Sequence, residues 1–143
     1  MVFSLTSDED TAEIDPEGLK RILAHYPCGT SWKSILHFRQ EVLAKKFQKY
    51  DYGRDENLQR YGTEGPPEYD LTKIQDFPIA FFAGTKDRLA AITDVRWLKE
   101  KLEAQNSLPY YFEYDLGHLG FLIPKSQAVT EDILSTLKAT HYN

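Results

Sequence analysis

The sequence predicts an α/β fold with two parallel strands and flanking helices. Three observations carry that expectation. Two short apolar runs, Pro78 to Ala83 and Pro109 to Tyr114, have the length and composition of buried strands. A helical pattern lies between them and another follows the second. The order strand, helix, strand, helix implies a right-handed crossover, and therefore parallel strands.

The elements follow in order. Residues 1–14 are polar and acidic, and are expected to be disordered. Asp15-Pro16-Glu17 starts a helix with a capping carboxylate, a proline in the first turn and an early acid; Tyr26-Pro27 ends it. Gly29-Thr30-Ser31 restarts the chain into a second helix running to about Lys46, with Trp32, Ile35, Leu36 and Leu43 expected on its buried face. Phe47 to Tyr52 alternates aromatic with polar residues, an extended pattern closed by Gly53. Arg54 to Tyr69 carries Gly, Pro-Pro, Asn and charges, which reads as a long loop with a helical turn at Glu56 to Tyr61.

After the first strand, Thr93 is expected to cap a helix with Val95, Leu98 and Leu102 inward and an Arg96–Glu100 pair outward. After the second, Pro124 restarts a helix at Lys125, with Val129, Ile133 and Leu137 as its inner stripe. The organisation expected is thus a disordered end over 1–14, a helical segment over 15–76 and a βαβα unit over 77–143.

Composition narrows the function. A chain of 143 residues suits a modest core without staples. Its net charge of −5 and lack of a basic stripe argue against nucleic acid; Lys45, Lys46 and Lys49 read as a solvated helix end. Cys28 is the sole cysteine, which excludes an internal disulfide. The histidines at 25, 37, 118 and 141 lack metal-ligand spacing, so neither metal nor cofactor is expected. No apolar run approaches membrane-spanning length, and residues 1–13 do not read as a secretory signal.

Chemistry is concentrated after the two strands. Asp87 follows the first in the run Ala83-Gly84-Thr85-Lys86-Asp87-Arg88-Leu89, and His118 follows the second in Leu116-Gly117-His118-Leu119-Gly120-Phe121. Parallel neighbours would project both side chains from one sheet edge, where reactive groups of open α/β sheets gather. A carboxylate there can orient an imidazole that takes a proton from a hydroxyl nucleophile. The ordinary alternative is an Asp that caps its own turn beside a loop histidine without a task. Ser31 and Ser34 sit at a helix start, where capping is the common role, and no Gly-x-Ser-x-Gly occurs in the chain.

From His25 onward, the runs His25-Tyr26-Pro27-Cys28-Gly29-Thr30-Ser31, Phe47-Gln48-Lys49-Tyr50-Asp51-Tyr52-Gly53 and Pro66-Pro67-Glu68-Tyr69-Asp70-Leu71-Thr72, in that order, resemble landmarks of the carboxyl-terminal portion of the acid lipases, the gastric and lysosomal family of α/β-hydrolases. His25-Tyr26-Pro27-Cys28-Gly29-Thr30-Ser31 resembles the family's H-N-P-A-G-T-S. Phe38-Arg39-Gln40 with Phe47-Gln48-Lys49-Tyr50-Asp51-Tyr52-Gly53 resembles W-x-Q followed by F-Q-x-[FY]-D-[WY]-G. Pro66-Pro67-Glu68-Tyr69-Asp70-Leu71-Thr72 resembles P-P-x-Y-N-[LV]-T, and Pro78-Ile79-Ala80 matches P-I-A. The family's G-x-x-D-L-L-A-D turn and N-H-L-D-F motif map their triad Asp and His onto Asp87 and His118. Its second turn Asp corresponds to Ala91, and the Asp two residues after its His to Gly120.

The resemblance implies the carboxyl-terminal part of an α/β-hydrolase fold preceded by part of a helical cap. It also implies a lipid ester substrate, triacylglycerol or sterol ester, and a lysosomal or secreted address for a full-length form. The expected function is a fragment of an ester hydrolase that carries the triad Asp and His without the Ser. The alternative is an inactive binding or interaction module on the same fold. A third arrangement has a partner, such as the missing amino-terminal half, supplying further strands to an exposed apolar strand edge.

Overall fold

The computed structural model describes residues 14–25, 29–74 and 78–141, so Cys28, Tyr26 and Pro27 and the acidic stretch 1–13 lie outside the described residues. The described residues fall into two compact units, one of residues 29–71 and one of 14–25 with 72–74 and 78–141.

In the second of these, β1 (Ala80–Gly84) and β2 (Tyr110–Tyr114) pair in parallel, with Ala80 opposite Tyr110 and Gly84 opposite Tyr114. Phe82 and Phe112 face each other across the register and stack, with ring centroids 5.2 Å apart. The chain is mixed α/β, consistent with a partial α/β-hydrolase fold. Helix α4 (Ile92–Glu103) makes the crossover between the strands and plants Leu102, 2% exposed, in the core with Ala83, Leu108, Leu116 and Leu119. Asn106, in a left-handed conformation that its short polar side chain tolerates, turns the chain back toward β2.

Several local expectations shift for identifiable reasons. Ile14, placed by sequence in the disordered end, is buried and bridges Pro124 in an antiparallel pair. That pairing holds α1 (Pro16–Leu23) in the unit of the sheet, although sequence grouped it with the segment 15–76. Asp15 caps α1 as expected, accepting from the amides of Glu17 and Gly18 at 3.3 and 2.8 Å. Because Pro124 is engaged, the last helix, α5 (Ala128–His141), begins three residues later than Lys125. Its buried positions are Val129 and Thr136; Ile133 and Leu137 are exposed. Thr93 lies inside α4, whose capping position is Ala91, and Arg96 forms a fork on Glu113 of β2 rather than pairing with Glu100.

The unit of residues 29–71 is organised by polar groups. Helix α2 (Trp32–Ala44) ends at Lys45 in a left-handed conformation, and Trp32, Ile35 and Leu43, expected to be buried, are exposed. Helix α3 (Arg54–Tyr61) is a full two-turn helix where sequence suggested a turn within a loop; Gly62, at φ 75°, ends it. Asn57 on α3 is 1% exposed and holds three groups: its Oδ1 accepts from the Tyr52 amide, and its Nδ2 donates to Asp51 Oδ1 and the Glu64 carbonyl. The bonds from Asn57 and from the Gly53 amide keep the Asp51 carboxyl below the usual carboxylate range. Gln40 of α2 closes the arrangement by exchanging two hydrogen bonds with the Asp51 backbone at 2.8 and 2.9 Å.

Candidate active site

The two strands stop together, but their pairing continues into the turns that follow. The Thr85 amide donates to the Tyr114 carbonyl at 2.9 Å, and the Lys86 amide to the Leu116 carbonyl at 3.1 Å. Just beyond these bonds the two turns reach Asp87 on one side and His118 on the other. Their side chains meet, with Asp87 Oδ2 2.9 Å from His118 Nδ1.

The carboxylate divides its two oxygens between two tasks. Oδ1 accepts from the Leu89 and Ala90 amides at 2.8 and 2.9 Å, an Asx-type turn that fixes the side chain on its own backbone. Oδ2 is thereby aimed at the imidazole. The contacts that cap the turn and the contact to the imidazole are made by different atoms of one residue. Asp87's side chain is 5% exposed, whereas His118's is 43% exposed, so the anchor is covered and the ring is open to a reacting group. Against a carboxylate oxygen, which only accepts when ionised, the matching ring form is the one with its proton on Nδ1, and that form leaves Nε2 as the acceptor.

His118 sits at the head of a 3₁₀ turn, Leu119–Phe121, closed by the Gly120 amide on the Gly117 carbonyl at 3.1 Å. Leu119 and Gly120 are buried and so pin the turn to the core. Asp87 and His118 border a cleft of about 530 Å³ along β1 whose apolar walls include Phe81, Phe82, Val95, Leu98, Phe121 and Leu122. Such a space suits an apolar chain with a polar reacting group at one end.

A charged cluster spans α4 and β2. The Arg96 fork and the Tyr111 hydroxyl hold the Glu113 carboxyl down to about 2. Burial, together with its bond to Glu113, pushes the Tyr111 phenol up to about 12. These groups satisfy one another.

The other residues weighed from sequence have structural surroundings. Ser31 stands at the start of α2 without making a side-chain cap bond, and Ser34 lies within that helix. Both belong to the unit of residues 29–71. His37 lies 2.9 Å from the Gln48 carbonyl through Nε2, and His25 follows α1. Among the described residues, no group of three or more His, Cys, Asp or Glu could hold a metal ion, and no helix is long and apolar enough to cross a membrane.

Sequence reasoning did not find the ties between the two turns. Lys86 Nζ lies 2.9 Å from Asp115 Oδ2, and Thr85 Oγ1 reaches the Tyr114 carbonyl at 3.2 Å. The available signal was weak, two opposite charges shortly after the ends of two strands.

Comparison with known proteins gives a consistent set of relatives. Over 140 residues, 95% of this chain and 34% of the relative, it is 35% identical to the gastric triacylglycerol lipase of Bos taurus. It is 36% identical to lipase 3 of Drosophila melanogaster over 79% of this chain and 28% of that one. With triacylglycerol lipase 2 of Arabidopsis thaliana it shares 33% identity over 71% of this chain and 25% of the relative. The chain thus spans about a quarter to a third of the length of the curated relatives it matches. No protein-family model matches it.

Proposed function

We propose, for a chain that belongs to the acid lipase-like family, that it carries the general base and its orienter for a serine ester hydrolase acting on lipid esters. His118 Nε2 takes the proton from a serine hydroxyl as that oxygen attacks the ester carbonyl, and returns it to the departing alcohol. Asp87 holds the ring by Nδ1 and stabilises the imidazolium formed between those two transfers. The acyl chain runs along the apolar wall of the cleft, beside Phe81, Phe121 and Leu122. Triacylglycerol, the substrate in the names of several relatives, is the proposed substrate class.

The observation that carries this reading is the 2.9 Å contact between Asp87 Oδ2 and His118 Nδ1 at the border of an apolar cleft. The serine belongs to sequence outside these 143 residues, which contain no Gly-x-Ser-x-Gly. In this reading the chain is the carboxyl-terminal portion of the hydrolase, and the unit of residues 29–71 carries most of the cap-like landmarks.

The test joins this chain to the part of the bovine gastric triacylglycerol lipase that it does not match. The chimera is assayed on a triacylglycerol emulsion and on a short-chain nitrophenyl ester. Turnover that His118→Ala abolishes supports the reading. A folded chimera without turnover, or turnover indifferent to His118→Ala, contradicts it.

The missing serine motif also favours a second reading, a binding module that keeps the cleft without the reaction. That reading predicts saturable binding of a fatty acyl probe to the chain alone, unaffected by His118→Ala.

A further inference from the structure

We propose that the close approach between Gly84 and the Leu116 carbonyl, bridged at its surface by the Lys86–Asp115 ion pair, is the device that positions His118 against Asp87. The inference rests on the reading of that pair as orienter and base, and adds Gly84, Lys86 and Asp115 to it as positioning residues.

Gly84 is the last residue of β1 and lies opposite Tyr114. A Cβ added there would stand 2.4 Å from the Leu116 carbonyl oxygen and 3.1 Å from Phe121 Cε2. The first of these atoms is backbone and is held by the Lys86 amide at 3.1 Å, so it has no flexible end to swing away. A side chain at residue 84 would therefore have to separate the two turns. Glycine is required here for space, since its φ is not in the left-handed region.

The geometry around the junction transmits any such separation to the site. Asp87 is one residue beyond the Lys86 amide that binds the Leu116 carbonyl, and His118 is two residues beyond Leu116. Asp87 is fixed to its own turn through Oδ1, so it cannot follow the imidazole outward. Leu116 and Leu119 are buried on either side of His118, which makes the His118 turn move as a block. The Lys86 Nζ to Asp115 Oδ2 contact at 2.9 Å and the Thr85 hydroxyl on the Tyr114 carbonyl add side-chain ties across the same seam. Relieving a 2.4 Å approach requires the turns to part by roughly 0.6 Å or more, which carries the 2.9 Å Asp87–His118 contact past the usual hydrogen-bond range.

The experiment uses the 143-residue chain, with nitrogen-15 in its histidines and His118 assigned by the signal missing in His118→Ala. Imidazole nitrogen shifts report which nitrogen of the neutral ring carries the proton, and the Nδ1 proton signal reports its protection from water. The parent is expected to hold the proton on Nδ1, and Gly84→Ala to lose that preference as fully as Asp87→Asn while keeping its far-ultraviolet circular dichroism. A folded Gly84→Ala with the parent's tautomer and protection overturns the inference. Should Gly84→Ala fail to fold, Lys86→Gln, which adds no bulk at the seam, decides. Faster exchange of the Nδ1 proton with water supports the inference, and unchanged exchange overturns it. Asp87→Asn separates the two levels of the argument: if it leaves the His118 signals unaltered, the underlying pair is not formed, and the reading of the site fails rather than this refinement of it.

Discussion

Replacing Asp87 by alanine and by asparagine separates the two tasks of its carboxylate. Alanine removes the acceptor for the Leu89 and Ala90 amides, which lie in a part-buried turn at 2.8 and 2.9 Å from Oδ1. A hydrogen bond to a charged acceptor contributes about 1.5 kcal/mol, so the two together come to about 3 kcal/mol. The bond to His118, whose side chain is 43% exposed, adds less than about 1 kcal/mol after allowance for solvent. Asp87→Asn would keep a carbonyl oxygen for both amides and lose only the charge assistance, about 1 kcal/mol. The new NH₂ group would then face His118 Nδ1 and force that nitrogen to accept, moving the proton to Nε2. Asparagine is thus expected to leave the fold nearly intact and the base in the wrong tautomer. Urea unfolding followed by circular dichroism should separate the two variants by about 1 M in midpoint, for an m-value of about 2 kcal/mol/M. Amide exchange at Leu89 and Ala90 should speed up in the alanine variant alone. Equal costs for alanine and asparagine would refute the division of labour between Oδ1 and Oδ2.

Other consequences can be measured on the same chain. Ala91 occupies the capping position of α4 without a side-chain acceptor, and the acid lipase pattern has Asp there; Ala91→Asp should stabilise the chain by about 1 kcal/mol in urea, and a neutral result would refute the capping assignment. Asn57→Ala leaves the Tyr52 amide and the Glu64 carbonyl without this partner, and should cost the 29–71 unit about 3 kcal/mol by amide exchange; a cost under about 1 kcal/mol contradicts the hub. Leu102→Ala should destabilise by about 3 kcal/mol through the cavity it opens, against less than about 1 kcal/mol for the exposed Leu137→Ala. Glu113 titrates near 2 when folded, below its ordinary value of about 4.3, so its contribution is present at neutral pH and lost as pH falls from about 4.5 toward 2. The urea midpoint of Glu113→Gln should therefore fall less steeply than the parent's over that window, and parallel pH profiles would contradict the assignment.

Much of the site was legible because strand pairing is a strong constraint. The continuous apolar run through Phe81 and Phe82 marks a strand, although Ala80, Phe81 and Phe82 are only half-buried where burial was expected, and two parallel strands of equal length carry the residues just beyond them to one edge. That rule brings Asp87 and His118 to one edge without assigning them a task, and it was the resemblance to the acid lipases that implied one. The less legible features depend on contacts made far along the chain. Helix α3 is polar and short, and forms around a buried Asn57 whose partners Asp51, Tyr52 and Glu64 no periodicity reveals. Arg96 has a favourable neighbour at Glu100, yet β2 brings Glu113 to both of its guanidinium donors, and the two-pronged contact wins over a single helical pair. The apolar stripe of α2 gave a correct helix and an incorrect burial, since periodicity specifies which residues share a face and not what covers it. Gly84 directly follows the apolar run in the sequence, but the carbonyl of Leu116 that excludes any larger side chain appears only when the two turns are brought together.

Asp87 and His118 acting as one unit is the central claim, and a double-mutant cycle on the chimeric lipase tests it most directly. His118→Ala is expected to lower kcat/KM by about 10³ or more, Asp87→Asn by a comparable factor, and the double variant by no more than His118→Ala alone. Losses that multiply, or an unchanged kcat/KM in His118→Ala, would contradict it.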